Sequence, residues 1–349
     1  MPGEMMHEEM SQQPDVLAGL AARAGSLRAA VHDVAPRPLR AVMLAGRGSS
    51  DNAAVLGRYA IELASGVPTG LVAPSLHTRY AADVDYRGVL VVGLSQSGET
   101  PEIVATCERL KAAGAVVVGV TNASGSPLAA VGDLCVTVDA GEERAVPATK
   151  TVTAQMAVML VVASALTPAA RAGRAGRDPL GPAGIDRLAD AVADVLGDEG
   201  PAARLGRAWS GYDRMVVSAR GLCYAAALET ALKVAETARI RAEGISSFDL
   251  LHGPIAAVGP GVPVLSLRDD GPTAGDADDL AARLVATGCP VATCSTGEES
   301  DLALPADVPA ALQPVVATVR GQQLAYHLAI ERGFDPDAPL GLSKMTATR

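Results

Sequence analysis

The sequence predicts an α/β protein of two similar domains, each a parallel sheet with helices on both faces. Three observations carry that expectation. Short apolar runs alternate with helical patterns along most of the chain, as crossover connections between parallel strands require. The 349 residues exceed the size at which one core usually stops growing, and 49% hydrophobic residues are ample for two. The halves also match each other: Met43-Leu-Ala-Gly-Arg-Gly-Ser-Ser-Asp-Asn-Ala53 parallels Val216-Val-Ser-Ala-Arg-Gly-Leu-Cys-Tyr-Ala-Ala226, with Arg47 aligned to Arg220. Internal duplication is the simplest account, and chance similarity in an Ala-rich chain is the alternative.

The elements follow in order. Glu4–His32 reads as a helix, Arg40–Leu44 as a strand and Asp51–Ala64 as a helix. Strand Val89–Leu94, helix Pro101–Ala113, strands Val116–Thr121 and Leu134–Val138, and the long helix Thr149–Thr167 complete the first half. Ala169–Gly184, with four Gly, three Arg and two Pro, reads as a linker. The pattern then restarts with helix Asp186–Leu196, strand Arg214–Ser218 and helix Leu222–Arg239. Strands Val262–Leu267 and Val291–Cys294 flank helix Asp278–Ala286, and helix Gln313–Arg332 closes the fold. The expected domains are 1–172, with the N-terminal helix, and 185–349.

Composition removes several functions. A net charge of −10 and a pI of about 5.0 argue against nucleic acid or an anionic membrane as partner. Ala157–Leu166 is apolar but too short to span a bilayer, and Met1–Met10 has no apolar signal core. Cys107, Cys135, Cys223, Cys289 and Cys294 are scattered and odd in number, which suggests reduced thiols in a cytoplasmic protein. The five His residues form no metal-ligand spacing, so neither a metal nor a cofactor is expected.

The most informative stretch is Leu94-Ser95-Gln96-Ser97-Gly98-Glu99-Thr100-Pro101, between a buried strand and a helix. Ser95, Gln96, Ser97 and Thr100 can all donate hydrogen bonds, and a strand-to-helix turn with free N–H groups cradles phosphate. A plain capped helix, with Thr100 as N-cap and Pro101 after it, fits the same residues. No Lys lies in the loop, so it is not the Lys-containing nucleotide loop. The second half has Leu267-Arg268-Asp269-Asp270 near the matching place, where two carboxylates would repel a phosphate, so one phosphate site per chain is expected, in the first domain.

Leu94–Pro101, Gly141-Glu-Glu-Arg-Ala-Val-Pro-Ala-Thr-Lys150-Thr151, Ala227-Leu-Glu-Thr-Ala-Leu-Lys233, Glu236, His252-Gly-Pro254 and Gly341-Leu-Ser-Lys344 together resemble the double sugar-isomerase (SIS) family, in order over nearly the whole chain. The similarity is to the isomerase half of glucosamine-6-phosphate synthase and to stand-alone aminosugar-6-phosphate deaminases. It implies two flavodoxin-like domains, a homodimer, and a hexosamine 6-phosphate as substrate. It further implies that Ser50, Ser95, Gln96, Ser97 and Thr100 hold the 6-phosphate and that Val146 lines the sugar with its backbone. Glu236 would move a proton between C1 and C2. His252, from its own or a neighbouring subunit, would assist ring opening, and Lys344 would ride on a closing tail.

The residue types suit that chemistry. Glu229, Lys233 and Glu236 share one helical face by their spacing. A solvated surface ion pair is the bland account; the apolar neighbours Ala231, Leu232, Val234 and Ala235 favour a buried helix, where ionisable groups need a partner or a purpose. Some positions depart from the family pattern. Ala235 replaces a second Lys, Arg241 stands where His is frequent, and Phe248-Asp249-Leu250-Leu251 replaces a more polar run before His252. The first cysteine is Cys107, so an N-terminal glutaminase nucleophile is not expected. Three functions fit: an aminosugar-6-phosphate deaminase/isomerase, a dehydratase (lyase) expelling the C3 hydroxyl of an N-acetylhexosamine 6-phosphate, and a non-catalytic sugar-phosphate sensor.

Overall fold

The computed structural model describes residues 2–169, 185–297 and 299–344. The expected linker lies, beyond Ala169, outside the described residues. The first half carries strands β1 (Ala41–Ala45), β2 (Thr69–Leu71), β3 (Val89–Leu94), β4 (Val116–Thr121) and β5 (Leu134–Thr137). Its helices are α1 (Glu4–Ser11), α2 (Gln13–Val34), α3 (Ser49–Ser65), α4 (Pro74–Thr78), α5 (Pro101–Ala112), α6 (Pro127–Val131) and α7 (Lys150–Ala165). The second half carries β6 (Arg214–Ala219), β7 (Arg241–Ser246), β8 (Val264–Leu267), β9 (Val291–Ser295) and β10 (Leu302–Ala303). Helices α8 (Asp186–Gly197), α9 (Gly200–Trp209), α10 (Tyr224–Ala238), α11 (Ser247–Leu251), α12 (Ala274–Ala286) and α13 (Gln313–Glu331) surround them.

Every strand pair is parallel. The sheet orders are β2-β1-β3-β4-β5 and β10-β9-β8-β6-β7. Read from the other edge, the second is the first repeated, and both have the flavodoxin-like strand order. The duplication extends to side chains. Arg47, after β1, pairs with Glu102 in the first turn of α5 at 2.8 Å. Arg220, after β6, pairs with Asp276 in the first turn of α12 at 2.6 Å. Chance similarity does not produce the same topology and the same ion pair twice.

Strands β2, β7 and β10 were not expected. Each is a sheet edge, and edges show a weak apolar pattern: β2 and β10 have two or three residues, and β7 is mostly exposed or half-buried. Central β3, buried along its whole length, was plain.

The expected N-terminal helix is two helices, and its first part belongs elsewhere. Pro14 has no N–H to continue the ladder to Met10, and the side-chain amide of Gln13 donates to the Met10 carbonyl instead, at 3.1 Å. The chain folds as two compact units. One comprises residues 15–143 and 150–169 with the start of α8; the other comprises residues 2–14, 144–149 and the described residues from 187 to 344. So α1 and the 144–149 loop, expected in the domain 1–172, pack with the second sheet's unit. Met6, Met10 and Ala145 form a buried cluster there with Tyr326 against it. Asp337 accepts the N–H groups of Met5 (2.9 Å) and Met6 (2.7 Å), which satisfies the otherwise uncapped start of α1.

In the first unit, α7 packs on α3, and all sixteen of its residues are buried within the single chain. Its apolar length therefore needs no subunit contact for burial. No helix among the described residues is long and apolar enough to cross a membrane. In the second unit α10 and α13 pack most closely where Gly321 meets Thr230, since a Cβ on Gly321 would lie 2.0 Å from Thr230 Oγ1. Gly321→Ala is expected to destabilise the protein by about 1–3 kcal/mol through overpacking, measured by urea unfolding. An unchanged midpoint and slope would show that this contact relaxes freely.

Candidate functional site

A doubly wound parallel sheet has one place where successive crossovers leave for opposite edges. In the first unit that switch lies between β1 and β3, and ligands of such sheets bind in the crevice beyond the strands' carboxyl ends. The β3–α5 connection there is residues 95–100, and the β1–α3 connection ends at Gly48, the N-cap of α3, with Ser49 and Ser50 in that helix's first turn.

The 95–100 turn is held tightly. Gly98 has φ +66°, and a Cβ on it would lie 2.0 Å from Ser126 Oγ, so this turn requires glycine. The Gln96 carbonyl accepts from Asn122 N–H at 3.0 Å and the Gly98 carbonyl from Leu128 N–H at 3.0 Å, which ties the turn to the β4–α6 connection. Ser97 Oγ accepts from Glu99 N–H at 3.1 Å and keeps its own hydrogen to donate. Thr100 does occupy the N-cap position, with Pro101 next, but its hydroxyl makes no cap. It shares a hydrogen bond with Ser95 Oγ at 3.0 Å. Ser95 is buried, whereas Gln96, Ser97 and Thr100 are half-buried.

Ser50 lies in the first turn of α3, buried, with its hydroxyl 3.0 Å from Gln155 Oε1 of α7. The turn before it is compressed, because a Cβ on Gly46 would lie 2.7 Å from the Ser50 carbonyl carbon. Asp51, beside Ser50, has its carboxyl pushed up by burial, with Arg47 opposing the rise.

The matching crevice of the second unit, between β6 and β8, is filled from within. The buried Asp269 carboxylate accepts from Gly271 N–H at 2.7 Å and also takes hydrogen bonds from the backbone and thiol of Cys223. Burial pushes the Asp269 carboxyl and the Cys223 thiol up. A carboxylate of the chain itself thus takes up N–H groups of this connection.

The other expected site residues lie in the second unit. On α10, Lys233 Nζ pairs with Glu236 and stands 3.5 Å from Glu229 Oε1. Glu229 and Lys233 are 0% and 1% exposed, whereas Glu236 is 21% exposed, so Glu236 is the accessible end of a buried charge row. Val146 is half-buried in the 144–149 loop, which is fastened at three points. The buried Glu9 carboxylate accepts the N–H groups of Arg144 and Ala145. Gln322 Nε2 donates to the Thr149 carbonyl at 3.2 Å. Lys344 Nζ donates to the Ala145 carbonyl at 2.6 Å, which docks the tail on the same loop as Val146. His252 is the exposed C-cap of α11, followed by Gly253 at φ +138°. Among the described residues no cluster of three or more His, Cys, Asp or Glu is arranged to hold a metal.

Residues 39–165 match the SIS domain family, and they span β1 to the end of α7, including Ser50 and the 95–100 turn. This is a SIS-domain protein. The SIS-domain chain is 34% identical to the isomerizing glutamine–fructose-6-phosphate aminotransferase of Aeropyrum pernix, over 97% of this chain and 54% of that protein. It therefore spans about half the length of the curated relatives it matches. The C-terminal domain of the Francisella tularensis glucosamine-fructose-6-phosphate aminotransferase superposes with a TM-score of 0.79 at 25% identity, covering 96% of this chain and 98% of that one. The Thermotoga maritima glucosamine-6-phosphate deaminase shares the fold, with a TM-score of 0.73 at 21% identity over 94% and 99% of the two chains.

Glu9, Gln155, Gln322 and the Arg47–Glu102 pair were not expected as site-shaping residues. A signal existed only for Arg47, which the duplication aligns with Arg220. The buried thiols give a direct check on the second crevice, where Cys223 meets Asp269. Burial pushes Cys107 and Cys294 up to about 12. At pH 8 the native protein is expected to react with a thiol reagent at the half-exposed Cys135 alone, slowly because burial pushes that thiol up too, and at all five cysteines in denaturant. Rapid native labelling of Cys223 would mean that the Asp269 crevice opens.

Proposed function

We propose that this chain is an enzyme acting on the open form of an aminosugar 6-phosphate, as a deaminase/isomerase. The observation that carries the reading is the β1/β3 crevice, with glycine-dependent backbone, donor side chains at Ser95, Gln96, Ser97 and Thr100, and Ser50 on the adjoining turn. Such a cradle suits a phosphate dianion in an acidic chain, because it captures the anion with short-range donors. The names of the relatives, which isomerise or transaminate fructose 6-phosphate, support a hexose 6-phosphate.

In this reading Glu236 takes the C2 proton of the open-chain aldose. Its carboxylate is the accessible member of the row and is paired with the Lys233 ammonium. The electron pair left at C2 forms the C1–C2 double bond of an enolamine as O1 takes a proton, and return of the proton to C1 with loss of one from nitrogen gives the ketose imine. Water then releases ammonia and the ketose phosphate, so atoms balance. His252 assists ring opening, Val146 lines the sugar with its backbone, and Lys344, docked on the same loop, covers it. A dehydratase would share the first step and lose the C3 hydroxyl instead. A homodimer with an interface above about 2,000 Å² completes the proposal, tested by whether activity survives dilution to the monomer.

Incubation with glucosamine 6-phosphate should release ammonia and form fructose 6-phosphate. N-acetylglucosamine 6-phosphate giving an unsaturated product without ammonia would replace the deaminase with the dehydratase, and binding without turnover would replace both with a sensor. Ser97→Ala should weaken sugar-phosphate binding by about 1.5–3 kcal/mol, the scale of one hydrogen bond to a charged group, with the fold intact. Glu236→Gln should retain binding, lower turnover by roughly 10²- to 10⁴-fold and stop exchange of the C2 proton with deuterated solvent. Exchange at the wild-type rate would move the base to another residue.

A further inference from the structure

The pairing of Ser50 with Gln155 leaves one polar atom stranded. Both side chains are buried, Gln155 being 1% exposed. With Gln155 Oε1 facing Ser50 Oγ at 3.0 Å, the serine hydroxyl is the donor, and Gln155 Nε2 is buried without a hydrogen-bond partner. Buried N–H groups without acceptors are rare and costly, more so than a carbonyl with a spare lone pair. A half-turn of the amide about its terminal bond exchanges the two atoms. Nε2 then donates to Ser50 Oγ, and the serine hydrogen is released.

The consequence falls on the anion site. A serine that donates to Gln155 offers a phosphate only lone pairs, which repel it. A serine that accepts from Gln155 has one hydrogen left, and it must go to another acceptor. Ser50 lies in the first turn of α3, directly after the β1–α3 connection at the β1/β3 switch, and α7, which carries Gln155, packs on α3. We propose that Gln155 is a positioning residue for anion binding, its amide donating to Ser50 Oγ so that the Ser50 hydrogen is committed to the bound phosphate. This rests on the sugar-phosphate reading above and adds to it the residue that sets the direction of the Ser50 hydrogen bond.

The test is a double-mutant cycle on the full chain, with dissociation constants for glucosamine 6-phosphate and inorganic phosphate measured by calorimetry. Gln155→Leu and Gln155→Met remove the amide and keep an apolar side chain, so one serves if the other folds poorly. Each should weaken binding of both probes about tenfold, as loss of one oriented charge-assisted hydrogen bond does. In a Ser50→Ala background the same substitutions should change binding by less than about twofold, because the effect passes only through Ser50. Equal weakening in both backgrounds, or none in either, overturns the proposal. Wild-type protein that binds neither probe overturns the sugar-phosphate reading together with it. Wild-type binding that Ser97→Ala weakens and Gln155→Leu leaves unchanged overturns this inference alone.

Discussion

Every strand in both sheets runs parallel to its neighbours, and the remaining features follow from that. Parallel strands cannot be joined by tight hairpins, so each connection crosses the sheet and returns. With the order seen here, successive crossovers diverge once per sheet, and the divergence leaves a crevice at the carboxyl ends of two adjacent strands. The helix starts at that crevice present unpaired N–H groups. The fold therefore makes a crevice with helix N-termini at its edge before any side chain is chosen, and it makes one in each unit.

The two units use that crevice differently. In the first, glycine at position 98 lets the turn lie against Ser126, and hydroxyls line it. In the second, Asp269 supplies the anion from the chain itself. Duplication followed by internal occupation of one copy turns a symmetric chain into an asymmetric one. The freed second unit carries the charge row of α10 and the fastened 144–149 loop instead.

Buried carboxylates fasten backbone throughout the molecule. Glu143 accepts Thr151 N–H and hydroxyl at the start of α7, Glu9 holds the 144–145 turn, and Asp337 caps α1. Each satisfies N–H groups that a loop or helix start would otherwise bury unpaired. Part of the chain's negative charge thus serves its own amides.

The sequence by itself determined the elements that repeat a local pattern. Buried β3 and β4, the helices α5, α7, α10 and α13, the parallel class, the duplication, and the turn 95–100 were legible because apolar period, glycine and hydroxyl spacing act over a few residues. The expected row of Glu229, Lys233 and Glu236 was legible for the same reason, since it lies on one helix. Strands β2, β7 and β10 were not, because β2 and β10 are only two or three residues long and β7 buries too little to leave a pattern. Tertiary structure alone decided that α1 and the 144–149 loop join the second sheet, that Lys344 docks on Ala145, that Asp269 fills the second crevice, and that Gln155 meets Ser50. Each joins residues distant in the chain, and which buried donor meets which acceptor depends on packing that no local spacing encodes.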